Sequence, residues 1–260
     1  MKDAFLSRSE NPYLLLFRFY INLLNIFKKY NPKGNNISCS YMSEGCKYEN
    51  ELLVIGREPS YWRGEFSQAE LIKSELEYLF KVKVQHPAIY GLNSLCPLSY
   101  VIDLWGDTEK RSGYNTLYNS NHDPFWCCIK EVIMNLGICR DQINWSSCIA
   151  LTYLYKISIC NKQYLLNKPK RLQIDLCREI FQIELSLLKP KRVLFLAGVK
   201  EVQDFLGLSN CSNLQEPVCS LGEYNFGNHQ AQTVISINRR NYPRNKLVNL
   251  ILERFRNNNY

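Results

Sequence analysis

The chain has 260 residues, 46% hydrophobic and 22% charged, which allows a sizeable core and argues against wholesale disorder. A formal net charge of +8 favours an acidic partner, nucleic acid or an anionic surface. Eleven cysteines are scattered with no CxxC and no zinc-finger spacing, which speaks against a metal finger or a disulfide framework.

Their odd number, with no secretory signal ahead of them, points to reduced thiols and a cytoplasmic protein. A four-cysteine iron–sulfur site assembled from distant positions is the alternative left open.

Residues 13–27 are strongly apolar. They are too few to span a membrane, which takes about 20 apolar residues, and they carry Arg18, Asn22 and Asn25. The expectation is a docked helix stopped by Asn31-Pro32, within an N-terminal helical extension over residues 1–45. Residues 31–50 read as loop. Leu52-Leu53-Val54-Ile55 then reads as a buried strand closed by Gly56.

A helix is predicted after it, with Ser67 and Glu70 at capping-box spacing and Ala69, Ile72, Leu76, Leu79 and Phe80 on one face. Val82 to Ile89 and Leu98 to Trp105 are less regular, and Gly106 to Asn121 is a long polar stretch. Asp123-Pro124 opens a helix through Phe125, Trp126, Ile129, Val132 and Ile133, ended by Gly137.

Ser147 to Tyr155 reads as the second buried strand, with Lys156 and Ser158 at its carboxyl end. Leu172, Leu176, Ile180, Ile183 and Leu187 make a helical stripe that Pro190 terminates. Val193 to Leu196 is the third strand, closed by Ala197-Gly198; Val199 to Leu206 is a short helix. A loop leads to the fourth strand, Thr233 to Ile237, and a closing helix holds Leu247, Leu250, Ile251 and Phe255. Strands alternating with helices predict an α/β fold over residues 46–260: a three-layer α/β/α sandwich around a mostly parallel four-stranded sheet.

In such sheets ligands bind beyond the carboxyl ends of the strands. Three ends carry chemistry-bearing residues: Gly56-Arg57-Glu58-Pro59-Ser60, Thr152 to Lys156, and Asn238 to Arg244. Arg239, Arg240 and Arg244 suit a loop that grips phosphates, and Tyr242 beside them could stack on a base. Glu58 is the one carboxylate of the first turn; it could orient water or act as a base, or pair with Arg57. Tyr61 and Trp62 could wall a flat pocket or pack under the turn.

In their order and strand–turn placement these segments resemble the uracil-DNA glycosylase superfamily. Gly56-Arg57-Glu58-Pro59-Ser60 loosely fits its first motif, Gly-x-Asp/Asn/Ala-Pro-Tyr/Gly. Leu188 to Gly198 is similar to its Leu-x-Pro stretch before a strand ending in Gly, and Tyr242-Pro243-Arg244 partly matches its final His-Pro-Ser. Phe125-Trp126, Trp145-Ser146 and Leu154-Tyr155-Lys156 resemble segments of a divergent bacterial branch of the same superfamily.

The resemblance covers about residues 50–255 and implies hydrolysis of the N-glycosidic bond of a damaged or deaminated base in DNA. It implies catalytic roles for Glu58, which orients water, and for Tyr242 or Asn238, which bonds the departing base. It implies a base pocket of Gly56, Ser60, Tyr61, Thr152 and Tyr153, and DNA contacts from Arg57, Lys156, Arg239, Arg240 and Arg244. No metal or cofactor, no membrane and a monomer are expected.

The sequence departs from the family at two points. His229 precedes the final strand, so no His follows it, and Thr152 or Tyr153 replaces the base-reading Asn. Losing an oxyanion-type donor costs about 3–4 kcal/mol, which predicts slow turnover. Two other functions fit the same residues: an inactive nucleic-acid or nucleotide-binding module of this fold, and an α/β protein with a small-molecule or protein partner.

Overall fold

The structure, a computed structural model, describes residues 11–30, 37–59, 98, 123–159, 167–208, 217–236 and 242–257. The helix expected after Ser67 and the irregular stretch up to residue 122 lie outside the described residues, apart from Leu98.

The first described element is α1 (Pro12–Tyr30), followed by the short strands β1 (Ile37–Cys39) and β2 (Ser43–Glu44), then β3 (Leu52–Gly56). After α2 (Pro124–Asn135) come a 3-10 turn over Trp145–Cys148, β4 (Ala150–Tyr153) and β5 (Ile157–Ile159). The chain continues with α3 (Asn167–Leu188), β6 (Arg192–Leu196), α4 (Val199–Leu206), β7 (Val218–Asn225), β8 (Gln230–Ser236) and α5 (Arg244–Asn257).

The protein is α/β, and its main sheet has six strands in the order β2-β4-β3-β6-β8-β7. The inner four, β4, β3, β6 and β8, are parallel and match the four strands expected. The expectation of a four-stranded sheet is corrected at both edges. Two-residue β2 pairs antiparallel with β4, and β7 pairs antiparallel with β8, so the sheet is mixed. The pair β7–β8 is a hairpin, which needs only a short connection. It occupies part of the segment expected to be loop. A separate two-stranded sheet joins β1 to β5.

Side-chain alternation along β3 builds two cores. Leu53 and Ile55 belong to a cluster with Phe27, Ile180, Phe181, Val202 and Phe205, so α1, α3 and α4 cover that face. Leu52 and Val54 belong to a cluster with Trp126, Ile129, Leu247 and Ile251, so α2 and α5 cover the other. Both faces of β3 are therefore dry, as its unbroken apolar run requires.

The apolar stripe of α1, with Leu16, Tyr20, Leu23 and Phe27 at 0–1% exposure, packs mainly on α3. The described part of residues 1–45 thus shares the main core instead of standing apart from it. Among the described residues no helix is long and apolar enough to cross a membrane.

Local signals decide where the helices begin. The Asp123 carboxylate accepts from the Phe125 amide at 2.7 Å and from the Trp126 amide at 3.4 Å, and Pro124 supplies the first helical residue. Asp123→Ala should cost about 1 kcal/mol, read from urea unfolding midpoints. An unchanged midpoint would mean that packing of Trp126 alone sets the start of α2.

Candidate functional site

Strand register brings three chain segments to one edge. Gly56 lies opposite Tyr153 on β4 and opposite Leu196 on β6, and Phe195 lies opposite Ile235 on β8. The residues just beyond β3 and β6 are therefore neighbours at the carboxyl edge. The next described helix after β3, α2, covers one face, whereas α4, after β6, covers the other. Adjacent strands whose following helices diverge in this way mark a topological switch point, the usual ligand position in such sheets.

The β3–β4 pairing runs on past the strand ends. The Leu154 amide donates to the Gly56 carbonyl at 2.9 Å, and the Tyr155 amide to the Arg57 carbonyl at 3.0 Å. The Ser158 hydroxyl donates to the Pro59 carbonyl. These bonds tie down the turn that carries Arg57 and Glu58.

Four charges alternate across the switch point. Arg57 Nη2 donates to Glu58 Oε1 at 2.7 Å, and Arg57 Nη1 stands 3.7 Å from Glu201 Oε2. Lys170 Nζ donates to the other Glu201 oxygen. Glu58 is the most deeply placed of the four, with 6% of its side chain exposed against 20% for Arg57. Glu201 reaches this position because β6 passes into α4 almost without a loop. Gly198, at φ 93° and ψ 137°, makes that turn in a region that side chains avoid. Lys170 also lies over the Tyr155 ring, 5.5 Å from its centroid. Burial, and then the Glu201 charge, push the Tyr155 phenol up to about 12.

On the opposite side of the same turn the wall is aromatic. A side chain on Gly56 would place its Cβ 2.6 Å and 2.7 Å from ring carbons of Tyr153, and 3.6 Å from the Phe125 ring. Glycine is thus required for close approach. Phe125 in turn meets Trp126 edge to face, with centroids 5.0 Å apart. Gly56→Ala must displace the Tyr153 ring and should cost about 1–3 kcal/mol. Adding Tyr153→Leu should recover part of that loss; equal stability of Gly56→Ala and the parent would refute the close contact.

Of the residues expected at the site, the structure brings together Gly56, Arg57, Glu58 and Tyr153. Thr152 and Lys156 are corrections. Both are 0% exposed and belong to the core on the far side of Tyr153. Lys156 Nζ donates to Glu184 Oε2 and to Thr152 Oγ1, each at 2.7 Å, and Thr152 Oγ1 donates to Glu184 Oε2 at 2.9 Å. Strand alternation turns Thr152 away from Tyr153, and the Glu184 carboxylate on α3 holds the ammonium inside. In this structure Lys156 therefore offers nothing to a phosphate, nor Thr152 to a base.

Arg244 opens α5, and its Nε stands 2.8 Å from Glu131 Oε1 on α2. It also adjoins Cys127, whose thiol is pushed up by burial against the opposing pull of Arg244. Tyr242 packs partly buried against the α2/α5 core. Ser60, Tyr61, Asn238, Arg239 and Arg240 lie outside the described residues.

Sequence reasoning missed Phe125, Lys170 and Glu201 as parts of this edge. Glu201 left one readable signal, an acid in the first turn of the helix that follows a buried strand. Lys170 left none, since the long-range fold alone carries it to Glu201.

Among the described residues no group of three or more His, Cys, Asp or Glu side chains is placed to hold a metal ion. No protein-family model matches the chain, and no curated protein matches it. Fold and site together define an α/β protein with a carboxylate–arginine pair at the switch point of a mixed sheet.

Proposed function

We propose that the chain is a uracil-DNA glycosylase-like hydrolase, built as a three-layer sandwich around the parallel core of its sheet. One observation carries this reading. Glu58 follows a buried central strand directly, is held at 2.7 Å by Arg57, and stands beside a glycine packed against Tyr153. A fixed carboxylate at a strand end, across the turn from an aromatic wall, suits hydrolysis of a base–sugar bond.

The target nucleotide leaves the stack, and its base enters beside Tyr153 and Phe125. The N-glycosidic bond breaks with positive charge developing on the sugar. Glu58 opposes that charge, directs a water at the sugar carbon and takes the water's proton. The departing base keeps the bonding electrons and accepts a hydrogen bond from Tyr242 or Asn238. Basic residues outside the core grip the DNA backbone, and the net charge of +8 supports that role. The protein works as a cytoplasmic monomer and draws on no metal or cofactor.

A second reading has an observation of its own. No His follows the final strand, and Thr152 and Tyr153 stand where the base-reading Asn is expected. That favours a nucleic-acid or nucleotide-binding module without catalysis.

The test is a single-turnover assay on oligonucleotides carrying uracil, hypoxanthine or an oxidised base, with binding measured in parallel across salt concentrations. Abasic product supports the hydrolase. Salt-sensitive binding without product selects the module. Neither product nor binding rejects both.

A further inference from the structure

We propose that Cys139 and Cys148 are a redox-active dithiol, a site of reversible disulfide formation at the amino-terminal edge of the sheet. Their sulfurs stand 2.8 Å apart, with Cys148 donating to Cys139, and both are free thiols in this structure. Two non-bonded sulfurs do not normally approach so closely, and a bonded pair sits at about 2.0 Å, so closure needs only a small further approach.

The intervening loop is held in the geometry that brings them together. The Asp141 carboxylate accepts from the Ile143 amide at 2.9 Å, the Asn144 amide at 3.0 Å and the Asn144 side chain at 2.8 Å. Ser147 Oγ donates to the Asn144 carbonyl at 2.7 Å. Cys139 thereby follows the end of α2, and Cys148 closes the 3-10 turn just before β4. A bond between them would staple α2 to the central sheet.

Both residues are buried, at 5% and 9% exposure, yet both line a cavity of about 270 Å³. Lys47, Glu49, Arg140 and Asp141 also line it, so charged side chains surround the pair. The cavity lies at the amino ends of β3 and β4, remote from Glu58 at the carboxyl edge.

The oxidant class is a small-molecule disulfide, for which glutathione disulfide serves as the probe. Burial, then the Cys139 sulfur beside it, push the Cys148 thiol up to about 12. One thiol of the pair gives its proton to solvent and bonds to one glutathione sulfur. The glutathione S–S bond breaks, and one glutathione leaves and is protonated. The other thiol then loses its proton and attacks the protein sulfur of the mixed disulfide, releasing the second glutathione. The protein dithiol loses two electrons, and glutathione disulfide becomes two thiols.

The full chain is equilibrated in glutathione redox buffers, its remaining thiols are blocked, and it is digested with trypsin without reductant. Cleavage after Arg140 separates the two cysteines, so the bond joins peptide 131–140 to peptide 141–156. The expected result is that linked pair as the main oxidation product of the native protein, two hydrogen masses below the sum of its parts. It should be reversed by dithiothreitol and much reduced when oxidation is run in urea. The proposal is overturned if native protein yields no linked pair, if another pairing outweighs it, or if urea-unfolded chain forms it as readily.

Discussion

Glu184→Ala is expected to destabilise the protein by about 3–5 kcal/mol, the usual cost of breaking a buried ion pair by removing one partner. Lys156 and Glu184 are both 0% exposed, and their charged atoms stand 2.7 Å apart. Thr152 donates to the same carboxylate oxygen, and the Tyr20 hydroxyl stands 3.3 Å from the other while also reaching the Ser40 carbonyl at 3.0 Å. Burial first, and the Glu184 charge second, push the Tyr20 phenol well above its ordinary range, so it remains a donor at neutral pH. Truncating Glu184 leaves the buried Lys156 ammonium bonded to Thr152 but without the carboxylate that neutralises it.

Urea unfolding should show a large fall in midpoint at nearly constant slope. Glu184→Gln should lose less, because it keeps the acceptor. The double change Lys156→Met with Glu184→Leu should be more stable than Glu184→Ala, since no charge then remains inside. A loss below about 1 kcal/mol for Glu184→Ala would show that water reaches the pair.

The same network shows where the sequence was readable and where it was not. The four parallel strands were legible because burial on both faces demands unbroken apolar runs, as in Leu52 to Ile55 and Val193 to Leu196. The start of α2 was legible because Asp123-Pro124 is a local signal, and α4 spans the residues expected of it.

The edge strands were not legible. β7 carries Ser220 and Gly222 at a register shift and exposes much of its length, so its apolar pattern is weak. A two-residue strand such as β2 has no period at all. Lys156 misled for a different reason: an isolated lysine after a strand reads as surface, and the partner that internalises it lies 28 residues away. At the site, Glu58 and Arg57 could be located from one turn. The companions Glu201 and Lys170 come from other elements, and only the fold unites them.

Glu58→Gln is expected to slow base release by about two to four orders of magnitude, the range for removing a positioned general base. Glutamine keeps the shape and an oxygen that can accept from Arg57, so the turn should hold. It cannot take a proton from water or oppose a developing positive charge with a full negative one. The variant should therefore unfold at nearly the parent's urea midpoint and bind DNA with the parent's salt dependence.

The most direct measurement is single-turnover release of uracil from an oligonucleotide by the parent chain and by Glu58→Gln, side by side. Abasic product from the parent, with a rate about two to four orders of magnitude lower in the variant, is the expected result. Equal rates would remove Glu58 from the chemistry, and no product from the parent on uracil, hypoxanthine or oxidised bases would contradict the hydrolase reading itself.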